Sequence, residues 1–342
     1  MRPRFEPGIF RELPKAELHQ HLDGSVRPAT AVELAGAAGM PLTLDDAARR
    51  MLAPPRCGSQ AALLAYFDLP IALLQTRQAL QRVARELVED LAADGVRYAE
   101  IRWAPRLHLE GGLGVREVIE AVADGVAEAA GPRIGLIVTA MRSHPPAANV
   151  LLARTAGEVG APVVGFDLAG LEAEYPAPPH AAAFLAAADA GLQLTAHAGE
   201  VAGPERIREV LAFGVRRVAH GVTAIEDDEL VARLRDEDVA LDMCPTSNVQ
   251  AGIVGAIEEH PLARLQRAGV PVTLSTDELT VSGTRLSEEF ARVASGLSMQ
   301  PAEVAQLALN GFRRAFAPPL VIDPLLSEAE RAWSAWAAET IS

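Results

Sequence analysis

Lysine is nearly missing from this 342-residue chain: of its 31 basic residues, only Lys15 is not arginine. Chemistry that needs a lysine inside a site must use Lys15 or do without. Cysteine is almost as scarce, and Cys57 with Cys244 can make neither a disulfide framework nor a four-cysteine zinc site. Aromatics make up only 4% of the residues, so the core must be built mainly from aliphatic side chains. No apolar run approaches the ~20 residues needed to span a bilayer. Excess positive charge is missing too. A formal charge of −14 argues against non-specific nucleic-acid binding and against anionic membrane surfaces. The start, MRPRFEPGIF, has basic residues but no apolar signal-peptide core, so the expected location is the cytosol.

What the chain does have is a recurring unit, a short β-prone stretch ending in polar residues followed by an Ala/Leu/Glu/Arg-rich helical stretch. The spacing predicts strands at 16–21, 97–103, 134–140, 163–168, 192–197, 216–220, 239–243 and 272–276, with helices such as 114–130, 180–190 and 227–237 between them. Strands alternating with helices imply a parallel sheet, and eight units at this length favour a closed (β/α)8 TIM barrel in one domain spanning 1–342. The connection from Leu22 to Val96, about 75 residues, is too long for one crossover. It is expected to carry a helical insertion over roughly 31–93 (stretches 31–38, 44–53, 59–76 and 77–93). That insertion either packs on the barrel wall or lends its apolar run Leu63–Phe67 to a lid over the barrel mouth.

Polar residues gather at the strand ends, the face where barrels carry active sites. Five of the eight histidines (19, 21, 144, 197 and 220) fall there, while 108, 180 and 260 lie in loops or helices. His19-Gln20-His21 alternates on a strand, so both imidazoles share the inward face. With His197 and Asp277 they would form a three-histidine, one-carboxylate set with an open position, the pattern of a catalytic metal site. Zn²⁺ is the first expectation, and Fe²⁺ or Mn²⁺ suit the same ligand types. A two-metal site bridged by a carboxylated lysine is excluded, because strand 163–168 has no lysine.

Zinc lowers the pKa of bound water from about 15.7 toward 7–9, but the reaction still needs proton carriers. Glu200, three residues past His197 in H-A-G-E, suits a proton shuttle; the alternative is a first-turn helix residue favoured by the dipole. His220 could orient the water, serve as a further ligand, or be a core histidine. In Asp277-Glu278 the first carboxylate is assigned to the metal and the second to substrate. Cys244 reads as a buried neighbour of the site. The H-x-E and P-C-x-x-C pattern of cytidine-type zinc deaminases is absent.

Seven motifs in chain order, PKAELHQHLDGS (14–25), MRSHPP (141–146), GFDLAG (165–170), TAHAGE (195–200), RVAHG (217–221), CPTSN (244–248) and STD (275–277), resemble the adenosine deaminase family of the amidohydrolase superfamily. The resemblance spans about residues 12–315. It implies a (β/α)8 barrel with one Zn²⁺ per chain on His19, His21, His197 and Asp277, and a small purine nucleoside as the binding partner. Glu200 would protonate purine N1 while hydroxide attacks C6, and His220 would activate or orient that hydroxide. His21, Asp23, Gly170, Glu278, Leu64 and Phe67 would contact substrate, Gly170 at ring N3, Asp23 at the ribose 5′-hydroxyl, Leu64 and Phe67 from the lid segment. Many family members have Asp-Asp-Pro where this chain has Asp277-Glu278-Leu279, which makes substrate choice less determined than reaction type. Adenosine or deoxyadenosine is the first reading; 6-aminodeoxyfutalosine, adenine, or nucleoside binding without catalysis are the alternatives.

Overall fold

A computed structural model describes residues 5–341; residues 1–4 of the basic start and Ser342 lie outside the described part. Eight strands run in chain order: β1 (Lys15–His21), β2 (Val96–Trp103), β3 (Arg133–Met141), β4 (Val163–Ala169), β5 (Gln193–Ala198), β6 (Arg217–His220), β7 (Ala240–Met243) and β8 (Val272–Leu274). Each pairs in parallel with the next, in the order β1 to β8. Helices cover the outside, so the fold is the (β/α)8 barrel that the alternating pattern implied. The strands are buried along nearly their whole length, because interior side chains face one way and the helical ring the other.

The helix Arg77–Ala93 shows how the outer ring forms. Thr76 caps it by accepting from the Ala79 N–H (3.2 Å). Its Leu80, Val83, Ala84, Leu87, Val88 and Leu91 recur every three or four residues and are buried against the barrel.

Two elements differ from the sequence reading. The strand expected over 272–276 ends at Leu274. Beyond it Asp277 takes a positive φ of 70° and leaves the ladder geometry. Asp277 nevertheless closes the ring: its N–H donates to the His19 carbonyl (3.0 Å), and its carbonyl accepts from the His21 N–H (2.6 Å). The stretch 59–76 is broken into Gln60–Leu64, a 3-10 turn Ala65–Phe67, and Asp68–Leu73. Pro70 has no N–H to offer the Tyr66 carbonyl, which favours the break before Asp68 and leaves Pro70 in the first turn of the next helix.

Below the strands' N-terminal ends, Phe10, Phe290, Trp333 and Trp336 form an aromatic plug with ring centroids 5.3–5.9 Å apart. Lys15 sits there, its Nζ donating to the carbonyls of Phe10 (2.6 Å) and Leu13 (3.0 Å). Among the described residues no helix is long and apolar enough to cross a membrane.

Candidate active site

At the C-terminal ends of the strands three imidazoles meet edge to edge. The Nε2 atoms of His19, His21 and His197 lie 3.1–3.3 Å apart, and Asp277 Oδ1 lies 3.1 Å from His19 Nε2 and 3.4 Å from His21 Nε2. His19 and His21 arrive two residues apart on β1, so the strand period alone aligns them. His197 ends β5. Its Nδ1 donates to Asp167 Oδ1 (3.1 Å), which leaves the Nε2 lone pair facing inward. The Ser247 hydroxyl donates to Asp277 Oδ2 (2.8 Å) and turns Oδ1 toward the imidazoles.

Lone pairs held this close repel one another unless a cation lies between them. Nitrogen and oxygen ligands at about 2.0–2.1 Å around Zn²⁺ would be separated by roughly 3.3–3.4 Å, close to the spacing seen here. The donor set therefore fits a divalent metal. His220 also reaches this cluster. Its Nε2 is farther out, however, at 3.8 Å from Asp277 Oδ2 and 3.8 Å from Glu200 Oε2. Two of the four non-glycine residues with positive φ among the described residues, His220 and Asp277, belong to this cluster, so backbone strain is concentrated there.

The cluster forms one wall of a cavity of about 180 Å³. That is space for on the order of a dozen waters, the scale of a small organic molecule. Its lining includes His21, Asp23, Leu64, Phe67, Gly170, His197, Glu200, His220, Asp277 and Glu278, so the sequence-derived candidates, apart from the deeply buried His19 just behind, converge on one space. His144 does not line it. Leu64 and Phe67 come from the broken helical segment and face the metal cluster, with the Phe67 ring perpendicular to His21 at 6.3 Å. Gly170 has φ 109°, which lets bare backbone border the cavity at the end of β4.

Two carboxyls in the cavity wall are shifted toward the protonated form. Burial pushes the Glu200 pKa well above the usual carboxylate range, and neighbouring Asp277 and Glu172 push the same way. Burial and the adjacent Asp277 do the same for Glu278, whose Oε2 is buried without a partner. Cys244 is fully buried and its thiol pKa is raised, so it is an inert neighbour, not a nucleophile.

Several residues that complete this site gave little signal in the sequence. The Gln60 side-chain amide donates to Glu200 Oε2 from the start of the broken helix. Glu172 accepts from the backbone N–H groups of Gly199, Glu200 (3.0 Å) and Val201 (3.0 Å), which fixes the turn that carries Glu200. His108 Nε2 lies 3.8 Å from Asp23 Oδ2. Under the metal cluster a buried ion network runs through the barrel. Arg217 pairs with Glu100 and with Asp242 (2.6 Å), and Arg102 lies between Asp242 (3.8 Å) and Asp167 (3.5 Å). Burial alone would raise the Asp167 pKa, but His197 and Arg102 hold it well below the carboxylate range, so the partner of His197 is ionised. Polar residues at strand ends were legible, whereas polar residues deep inside strands look like any alternating pattern.

Comparison with known proteins identifies the family. A family model for adenosine deaminase matches residues 14–331. An adenosine deaminase of Mycobacterium sp. (strain KMS) is 39% identical over 332 residues, covering 90% of this chain and 91% of that one. The crystal structure of an adenine deaminase from Arthrobacter aurescens superposes with a TM-score of 0.85 at 29% identity, covering 93% of this chain and 98% of the other. A Burkholderia ambifaria amidohydrolase structure with bound Zn superposes with a TM-score of 0.87 at 26% identity, covering 98% of this chain and 93% of the other. With the match spanning nearly the whole barrel, the chain belongs to the adenosine deaminase family, hydrolases that act on C–N bonds.

Proposed function

We propose that this protein is a zinc-dependent deaminase of 6-aminopurine nucleosides that converts adenosine or 2′-deoxyadenosine, with water, into the 6-oxo nucleoside and ammonia. The observation that carries the reading is the placement of Glu200, buried on the wall of the cavity that the His/Asp cluster borders, with burial pushing its pKa up. His19, His21, His197 and Asp277 would hold the ion, which when bound supplies the Lewis acidity that makes water nucleophilic near neutral pH.

The chain's own residues account for the remaining steps. Glu200 faces the ring and gives its proton to N1, so that C6 becomes electrophilic. His220, between Glu200 and Asp277, orients the incoming oxygen on the opposite side. One water proton passes through Glu200 to the 6-amino group, the C6–N bond breaks and ammonia leaves, and the second water proton returns to Glu200 as the oxygen on C6 becomes a carbonyl. No side-chain nucleophile is required, consistent with the inert Cys244. Asp23 faces the cavity beside His21 and would accept from a ribose hydroxyl, while Gly170 and Glu278 would meet the ring. Leu64 and Phe67 would cover it and exclude water.

The test is a substrate panel with protein loaded to one Zn²⁺ per chain, followed by ammonia release. Adenosine and 2′-deoxyadenosine should turn over with kcat/KM above roughly 10⁴ M⁻¹s⁻¹. Adenine, lacking the hydroxyl that Asp23 would hold, should be slower by roughly 10²-fold. Faster turnover of 6-aminodeoxyfutalosine or adenine would reassign the substrate. No turnover of any 6-aminopurine would overturn the reading.

A further inference from the structure

The far nitrogen of His220 lies within hydrogen-bond distance of Asn248, at the end of a chain of buried side chains. The Asn248 amide lies 3.1 Å from His220 Nδ1, and its oxygen lies 3.1 Å from His260 Nε2. His260 Nδ1 in turn accepts from the Leu262 backbone N–H (3.3 Å). All three side chains are buried, with 0–2% exposure. Asn248 stands on the short helix Pro245–Gln250 that follows β7, and His260 lies twelve residues further along, away from the cavity lining.

The chain can be polarised in only one direction. A backbone N–H donates and never accepts, so His260 Nδ1 must be the acceptor. Burial pushes the His260 pKa down to about 3, so the ring is neutral and its single proton sits on Nε2. That proton requires the oxygen of Asn248 to face His260, which turns the Asn248 NH₂ toward His220 Nδ1. His220 Nδ1 is then the acceptor, and its proton lies on Nε2, inside the site. The orientation of every group follows from one donor-only atom at the start.

We propose that Asn248 and His260 are positioning residues that lock His220 in its Nε2–H form, so that it presents a donor to the reacting oxygen and no lone pair to the metal. This separates His220 from His19, His21 and His197, which surround the same point with lone pairs turned inward. It also explains why a fourth imidazole at the metal does not become a fourth nitrogen ligand and close the open position that catalysis needs. The inference rests on the role given to His220 under the proposed function, but its structural content can be measured without any substrate.

The decisive measurement is the imidazole ¹⁵N spectrum of zinc-loaded protein labelled at histidine, with the His220 signals assigned by difference from His220→Ala. The wild type should carry the His220 proton on Nε2. Asn248→Asp keeps the shape but replaces the donor by an acceptor, so the His220 proton should move to Nδ1. In that variant kcat should fall by roughly 10²-fold or more with KM within about threefold, because the lost interaction acts on the reacting oxygen and not on substrate binding. His260→Phe should lower kcat in the same direction, and His260→Gln, which keeps a donor toward Asn248, should recover most of it. A wild-type His220 protonated on Nδ1 overturns the proposal, as does an Asn248→Asp variant with wild-type kcat. If Asn248→Asp does not fold, the wild-type spectrum alone decides. Absence of turnover with every 6-aminopurine would overturn the deaminase reading and leave the tautomer result standing.

Discussion

Glu200 and Glu278 are both carboxyls, both buried, and both pushed toward the protonated form, yet they face different tasks. Glu200 is bonded by Gln60 and sits 3.8 Å from His220, where a proton can be handed on. Glu200→Gln keeps the shape and removes the proton, so kcat should fall by roughly 10²–10⁴-fold while metal content stays at the wild-type level. Metal analysis beside steady-state kinetics checks both halves, and wild-type kcat would remove Glu200 from its assigned role. Glu278 donates or accepts without having to release a proton. Glu278→Gln should therefore keep kcat/KM within about tenfold of wild type, whereas Glu278→Leu, which leaves substrate polar atoms unpaired, should lose roughly 10–200-fold. Equal losses in both variants would mean that Glu278 works as an anion.

At the scale of elements, the broken helical segment over residues 60–73 sits against the first turn after β1 through a single glycine. A Cβ at Gly24 would lie 2.5 Å from Glu278 Cβ and 2.8 Å from the Phe67 ring. The close approach is what lets the end of β1, the loop after β8 and the broken helical segment meet over one cavity. Gly24→Ala should push Phe67 and Glu278 outward, raising KM for the nucleoside more than it lowers kcat. The overpacking should cost about 1–3 kcal/mol of stability, read by denaturant unfolding. Unchanged KM would show that the segment does not touch substrate. The sequence showed the segment's apolar run but not its breaks, because Pro70 only forbids a helix bond to Tyr66 and says nothing of where the next helix starts or which face then turns inward.

At the scale of the whole molecule, the barrel is closed and the metal cluster formed by the same bonds. Asp277 exchanges backbone hydrogen bonds with His19 and His21 while its carboxylate meets their imidazoles. Closure therefore sets the spacing of His19, His21 and Asp277, while Asp167 and Ser247 orient His197 and the Asp277 carboxylate. At the opposite end the lone lysine is sealed under the aromatic plug. Burial pushes the Lys15 pKa from 10.5 down to about 8. Below pH 8 both folded and unfolded chains carry the ammonium, and the burial penalty is fully present. Between pH 8 and 10.5 the unfolded chain binds more protons, so this group makes stability rise with pH. Relative to Lys15→Met, the wild type should gain up to about 3 kcal/mol across that window, measured by urea unfolding at several pH values. A constant difference would show that Lys15 stays charged when buried.

The sequence by itself determined the barrel and most of the cluster. Alternation of strands and helices leaves few architectures, H-x-H fixes two imidazoles on one face, and residues just past strand ends must gather at one mouth. Scarcity contributed as well, since a chain whose only lysine sits at the start of β1 cannot bridge two metals by carboxylation. Only the tertiary structure decided the rest. Gln60, Glu172 and His260 lie 140, 28 and 40 residues from the groups they serve (Glu200, Glu200 and His220), and no periodicity links such positions. Which nitrogen of His220 carries its proton depends on a backbone N–H at Leu262 that has no sequence signature. Local spacing is set by backbone geometry and is written in the chain. Hydrogen-bond polarity and burial depend on what packs against a residue, and they exist only once the barrel has closed.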